Sequence, residues 1–144
     1  MGIDWSNCNS MVWDSAPLIY YIEEHPQYVD KLQVILDRMA ANKISMDISL
    51  ISYMEVIVGA ERSGNHRLAD RYRFFFQNSN NINLHAISLP IAEHAIDIRV
   101  KYSFKVPDAI QLALAHACGA DVFLTNDRKL KQCTEVNVIL VDEL

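Results

Sequence analysis

The sequence predicts an α/β domain with a central parallel sheet flanked by helices on both faces. Short apolar, strand-like runs alternate along the chain with longer segments of helical periodicity, the pattern of a sheet wound through crossover helices. A composition of 51% apolar and 22% charged residues over 144 positions suits one globular domain with an ordinary core. Only four glycines occur, with no internal repeat, low-complexity tract or Pro/Gly/Ser linker, so nothing divides the chain.

The elements follow in order. "SMVWD" is a short apolar strand, and "APLIYYIEEH" continues it with apolar residues at helical spacing until Pro26 stops the helix. "PQYVDKLQVILDRMAANK" places Tyr28, Leu32, Ile35, Leu36 and Met39 on one face, with Asp30, Lys31, Asp37 and Arg38 mostly elsewhere, an amphipathic surface helix. "ISMDIS" alternates as a strand does, and Ser49 is placed to cap the helix "LISYMEVIVGAERSG", which Gly64 ends. A helix "HRLADRYRFFFQN", a strand "INLHAIS" and a helix "IAEHAIDIRVKYS" come next. Pro107 opens the apolar helix "DAIQLALAHACG", closed by Gly119, and "DVFLT" and "NVILVDEL" read as the last strands.

A formal charge of −5 argues against a uniformly basic nucleic-acid-binding surface, while leaving room for local basic patches. Cys8, Cys118 and Cys133 are odd in number and widely spaced, so they read as reduced thiols rather than a disulfide framework or zinc knuckle. His25, His66, His85, His94 and His116 form no HxxxH or HExxH pair and read as scattered surface or core residues. No apolar run approaches the ~18 to 20 residues that cross a bilayer, and "MGIDWSNCNS" lacks the pattern of a signal peptide. The expectation is a cytoplasmic protein with no membrane association.

Four acidic residues stand where water does not readily solvate them. Asp14 ends the first strand, Glu55 lies within "SYMEVIV", Asp108 starts an apolar helix, and Asp127 follows "VFLT". Each has a purely structural account. Asp14 and Asp127 suit helix caps, Asp108 favours the positive end of a helix dipole by roughly 0.3 to 1 kcal/mol, and Glu55 suits a salt bridge to a distant Arg. Glu55, surrounded by Ile51, Met54, Val56, Ile57 and Val58, is expected to be buried or half-buried, at a cost of several kcal/mol unless paired, protonated or metal-bound. In a parallel sheet Asp14 and Asp127 leave carboxyl strand ends, and the start of the helix bearing Asp108 lies on the same rim. Carboxylates gathered there repel one another unless a divalent cation neutralises them, and hard oxygen ligands suit Mg²⁺ or Mn²⁺.

These residues stand in segments that resemble the PIN-domain nucleases and, within them, the VapC-like toxins of type II toxin–antitoxin pairs. "WDSAPLIYYIEEHP" resembles the opening aspartate motif of that family, "ISYMEVIVGA" its central glutamate helix, and "VPDAIQLALAHACGADVFLTNDRKL" its third and fourth acidic motifs in one stretch. The resemblance implies a single PIN-like domain over residues 12–144, preceded by an extension, residues 1–11, read as a flexible tail in which any role of Asp4 is open. It implies that Asp14, Glu55, Asp108 and Asp127 form an acidic quartet holding Mg²⁺ or Mn²⁺, with Thr125, and with less support Ser15 and Asn126, beside them. The implied activity is metal-dependent hydrolysis of RNA phosphodiesters, leaving a 5′-phosphate and a 3′-hydroxyl. The implied partners are an RNA substrate, a cognate antitoxin and a second copy of the chain.

Lys and Arg flank the proposed site in sequence: Arg128, Lys129 and Lys131 after Asp127, Arg99, Lys101 and Lys105 before Asp108, and Arg67, Arg71 and Arg73 along one helix. Tyr102 and Phe104 suit base stacking or the core, and Phe74 to Phe76 suit core or protein contact. Two other readings compete: a non-catalytic module of the same fold that binds RNA or protein, and a receiver-like phosphotransfer domain, which leaves Glu55 and Asp108 without a task.

Overall fold

The computed structural model describes residues 2–144. Among these, five strands, β1 (Ser10–Trp13), β2 (Ser45–Ser49), β3 (Ile82–His85), β4 (Val122–Thr125) and β5 (Val138–Leu140), form one sheet in the order β3-β2-β1-β4-β5. Every pairing is parallel, with Val12 opposite Asp47 on one side of β1 and Phe123 on the other. The helices are α1 (Ser15–Ile22), α2 (Val29–Ala40), α3 (Leu50–Arg62), α4 (His66–Asn78), α5 (Leu89–Tyr102) and α6 (Val106–Ala117).

The two-residue period of the strands divides the core. Met11, Trp13, Met46, Ile48, Val122 and Leu124 face α1 to α4, while Val12 and Phe123 face α5 and α6. Seven consecutive residues of α6, Ala109 to Ala115, are buried, as its nearly unbroken apolar sequence demands. Parallel strands covered on both faces explain why β4 is buried at every position.

Helix ends follow local chemistry. The Ser49 hydroxyl accepts the Ser52 amide at 3.3 Å and caps α3, as expected. At Gly64 and Gly119 the backbone turns left-handed, and paired amide-to-carbonyl bonds close α3 and α6. Asn42 closes α2 in the same way, and Glu24 closes α1: the Glu24 amide donates to Tyr21 and the His25 amide to Tyr20, at 3.2 and 2.8 Å.

Several boundaries differ from expectation. The turn at Glu24 ends α1 at Ile22, ahead of Pro26, and α2 starts at Val29 rather than Pro26. Pro90 sits in the first turn of α5, which starts two residues early behind a Ser88 cap and leaves β3 only four residues. The last segment pairs over Val138–Leu140 and then tightens into a 3₁₀ turn, Val141–Glu143. Of the extension expected as a flexible tail over residues 1–11, Met1 lies outside the described residues, Ser10 and Met11 already belong to β1, Cys8 is buried, Ile3 and Trp5 pack on the core, and Arg38 stacks over the Trp5 ring at 4.6 Å. Asp4 turns inward on its own segment, accepting from Ser6 and Asn7. No helix among the described residues is long and apolar enough to cross a membrane.

Glu24 holds φ at 55°, where a Cβ is disfavoured by roughly 1 to 2 kcal/mol. Glu24→Gly removes that penalty against a greater unfolded-state entropy, so stability rises by up to about 1 kcal/mol. A higher urea midpoint is the expected result, and a lower one would show that the Glu24 side chain, not the backbone turn, stabilises the junction.

Candidate active site

The carboxyl end of β1 builds the centre of the site. The Asp14 amide donates to the Leu124 carbonyl at 2.9 Å, extending the β1–β4 ladder by one residue and fixing where the side chain emerges. Its Oδ1 accepts the Ser15 amide at 2.8 Å, so the expected capping role is present, and its Oδ2 accepts the Thr125 hydroxyl at 2.8 Å. Thr125 ends β4, is fully buried, and also accepts the Asp127 amide at 3.1 Å. One hydroxyl thus ties two aspartates of adjacent strand ends.

Asp127 also starts the 3₁₀ turn Arg128–Gln132, accepting the Lys129 amide at 3.0 Å, and Lys129 Nζ lies 4.0 Å from its other oxygen. Asp108 occupies the first turn of α6 behind Pro107. Glu55 comes from α3, and its Oε1 accepts the Ser15 hydroxyl at 3.4 Å across the start of α1. Contrary to expectation, Glu55 is an exposed residue: Met54 and Val58 of the same helix also face solvent, so α3 is apolar on a side that nothing covers.

Electrostatics shows that the four acids share one space. Burial raises the pKa of Asp14 above the ordinary carboxylate range, with the Asp127 charge adding to it and the Thr125 and Ser15 hydrogen bonds opposing it. Asp14 keeps some accessible surface as a residue, yet its carboxyl group lies deep, and the deep group is the one that titrates. Burial also heads the causes that raise Asp108, followed by Asp14 and Asp127, with Lys105 and Lys129 pulling it down. Glu55 is raised by desolvation of its carboxyl, then by Asp14 and Asp108. Side chains from four separate segments therefore lie near enough to repel, with Asp14 and Asp108 each acting on Glu55 and Asp127 acting on both aspartates.

The four acids are spaced too loosely for three of their ligand atoms to meet within 4.8 Å. Among the described residues the one set of three Asp, Glu, His or Cys ligand atoms within 4.8 Å of one another belongs to Asp47, His85 and Cys118, not to the quartet. A small hard cation that keeps part of its water shell and takes one or two carboxylates directly suits the quartet's all-oxygen donors and this looser spacing.

Beneath the acids lies a polar group that sequence reasoning passed over. Gln111 of α6 is buried; its amide donates to the Ser52 hydroxyl and reaches Asp14 Oδ1 at 3.4 Å, while its carbonyl accepts from Ser49 at 3.3 Å. The available signal was one amide in the otherwise apolar run "DAIQLALAHA". Asn126 turns the other way, toward the hydroxyls of Tyr20 and Tyr28 at 3.4 Å.

The basic residues sort into two groups. Arg99 donates to the Phe104 carbonyl, Arg71 to the Ile22 carbonyl, Arg73 pairs with Asp70, Lys101 with Glu135 and Lys131 with Glu143. Those five hold the protein's own structure. Arg67, Lys105, Arg128 and Lys129 remain exposed, and Lys105 and Lys129 act on Asp108. Phe104 is buried and stacks on Tyr102 at 5.1 Å, while Tyr102 bonds to Glu135, so the pair is used internally rather than presented to bases. Phe75 and Phe76 enter the core; Phe74 is 68% exposed.

Residues 11–135 match the PIN domain family. The chain belongs to that family. Among curated proteins, no sequence matches it. Among solved structures, VapBC2 from Rickettsia felis bound to a promoter DNA fragment contains a similar chain, with TM-score 0.76 and 17% identity over 91% of this chain and 98% of that one. A toxin–antitoxin complex from Klebsiella pneumoniae gives TM-score 0.66 and 27% identity, covering 88% and 94%. VapC20 of Mycobacterium tuberculosis, a sarcin–ricin loop cleaving toxin, gives TM-score 0.63 and 15% identity, covering 78% and 86%. The PIN domain thus accounts for the central parallel sheet.

The raised acids set a pH dependence. A carboxyl whose pKa is higher in the folded than in the unfolded chain binds more protons when folded, so its contribution falls as pH rises above the ordinary value near 4. In chelator-treated protein the thermal midpoint therefore climbs as pH is lowered from 7 toward 5, and Asp14→Asn flattens that slope. Equal slopes in both proteins would show that Asp14 is not strained by its surroundings.

Proposed function

We propose that this PIN domain is a metal-dependent endoribonuclease of the VapC toxin kind, acting in the cytoplasm. The observation that carries the reading is the mutual repulsion of Asp14, Glu55, Asp108 and Asp127, brought by four segments to the carboxyl rim of the sheet. Asp14, Asp108 and Asp127 would hold Mg²⁺ or Mn²⁺, directly or through water, with Glu55 at the outer edge. When bound, the cation supplies charge neutralisation and Lewis acidity at the phosphoryl group.

The chain's own residues do the rest. Thr125 fixes Asp14 and Asp127 relative to each other, and Gln111 and Ser15 hold the remaining Asp14 oxygen. Glu55 is open to solvent and its pKa is raised by desolvation and by the Asp14 and Asp108 charges, which suits a carboxylate that orients the attacking water and accepts its proton at Oε1 or Oε2. Lys105, Arg128 and Lys129 offer positive charge to phosphates approaching an otherwise acidic protein, making binding sensitive to salt.

An antitoxin is the proposed partner, supported by the solved toxin–antitoxin complexes to which the fold is similar. A homodimer is proposed as well, supported by the exposed Leu89, Ile96, Val100 and Val106 on α5 and the start of α6.

The test is cleavage of RNA by purified protein with Mg²⁺ or Mn²⁺. Asp14→Asn and Asp108→Asn are expected to reduce cutting to background while remaining folded, and Glu55→Gln to slow it by about 10²- to 10⁴-fold. RNA binding that is equal in EDTA and never followed by cleavage would replace the nuclease with a binding module.

A further inference from the structure

The set Asp47, His85 and Cys118 lies outside the acidic rim and has no part in the proposed RNA chemistry. Asp47 is an inward-facing residue of β2, 8% exposed, opposite Val12 in the sheet. His85 ends the edge strand β3, and its Nε2 lies 2.7 Å from Asp47 Oδ1. Asn83, the register partner of Asp47, donates to the same oxygen at 3.3 Å. Cys118, a free thiol, caps the far end of α6, ten positions beyond Asp108 and so about 15 Å along the helix.

One carboxylate oxygen, one imidazole nitrogen and one sulfur, from three elements, lie within 4.8 Å of one another. A hydrogen bond of 2.7 Å already joins two of the three residues, His85 and Asp47. Asn83 orients the carboxylate in the way that outer groups orient metal ligands. Sulfur and imidazole select a borderline-soft cation, and three protein ligands leave a fourth position for water. Mg²⁺, which takes oxygen, is excluded from such a set by the thiolate.

We propose that Asp47, His85 and Cys118 form a second metal site, for Zn²⁺ or a cation of its class, which cross-links the edge strand β3 and β2 to the end of α6. On binding, the Cys118 thiol loses its proton to solvent, the hydrogen bond between His85 Nε2 and Asp47 breaks, and the imidazole ligates as the neutral tautomer with its one proton on the nitrogen that does not ligate, any second proton going to solvent. The site would tie down the strand with an unpaired edge.

The test uses the full chain with excess Mg²⁺ to fill the acidic rim, titrated with Co²⁺ as the spectroscopic probe. One equivalent is expected to bind with a thiolate-to-cobalt charge-transfer band. The band is lost in Cys118→Ser, persists in Cys8→Ser, Cys133→Ser and Asp14→Asn, and needs about 10- to 100-fold more Co²⁺ in Asn83→Ala. A band that survives Cys118→Ser, or its absence from the wild type, overturns the site. If Cys118→Ser fails to fold, alkylation of the wild-type thiol decides: Zn²⁺ slows modification of Cys118 at least tenfold, and an unchanged rate refutes the proposal. Neither readout involves RNA, so the result stands apart from the nuclease reading.

Discussion

The placement of Asp14 is the constraint on which the site depends. A carboxylate carried deep at the end of a central strand loses hydration worth several kcal/mol, and the fold offsets the loss only in part, with three donors: the Ser15 amide, the Thr125 hydroxyl and the more distant Gln111 amide. Each donor belongs to a different element, so the packing of α1, β4 and α6 against β1 is also what solvates this group. The donors are not enough to keep the acid ordinary, because Asp127 adds repulsion to the burial. A group left in that state favours a positive charge nearby.

That imbalance passes to the other acids. Asp108 feels both Asp14 and Asp127, and Glu55 feels Asp14 and Asp108. Lys105 and Lys129 relieve Asp108 only at its exposed side. Several of the other cations are engaged elsewhere. Arg99 and Arg71 satisfy backbone carbonyls near helix ends, where a guanidinium replaces a missing amide donor, and Lys101 neutralises Glu135, whose pKa it lowers to about 2. The protein thus holds much of its positive charge in structural duties and leaves its acidic rim short of it.

The sequence made the sheet and the four acids legible for a common reason: strand period, Gly64, Gly119 and the strand-end aspartates are local signals, each set by a few neighbouring residues. What it hid depends on contacts distant in the chain. Glu24 adopts the left-handed turn without glycine or asparagine, so α1 ends where no residue type announces it. The apolar neighbours of Glu55 in sequence do not imply burial, because Met54 and Val58 on its side of α3 are themselves exposed. Gln111 was readable as an oddity in an apolar helix, but its link to Asp14 needed the register of α6 over β1 and β2. His85 and Cys118 are 33 positions apart in sequence and meet only through folding.

The two clusters follow opposite donor chemistry on one scaffold. At the carboxyl rim only oxygen is available, the spacing is loose, and solvent reaches Glu55, conditions under which an ion can keep water and exchange it. At the other end of α6 sulfur, nitrogen and oxygen converge closely around a buried aspartate, conditions that favour retention over turnover. α6 connects them: its first turn carries Asp108 and its cap carries Cys118. Because α6 is packed along nearly its whole length, a tie at its cap would restrain where its first turn can move, and with it the spacing of the acids at the rim.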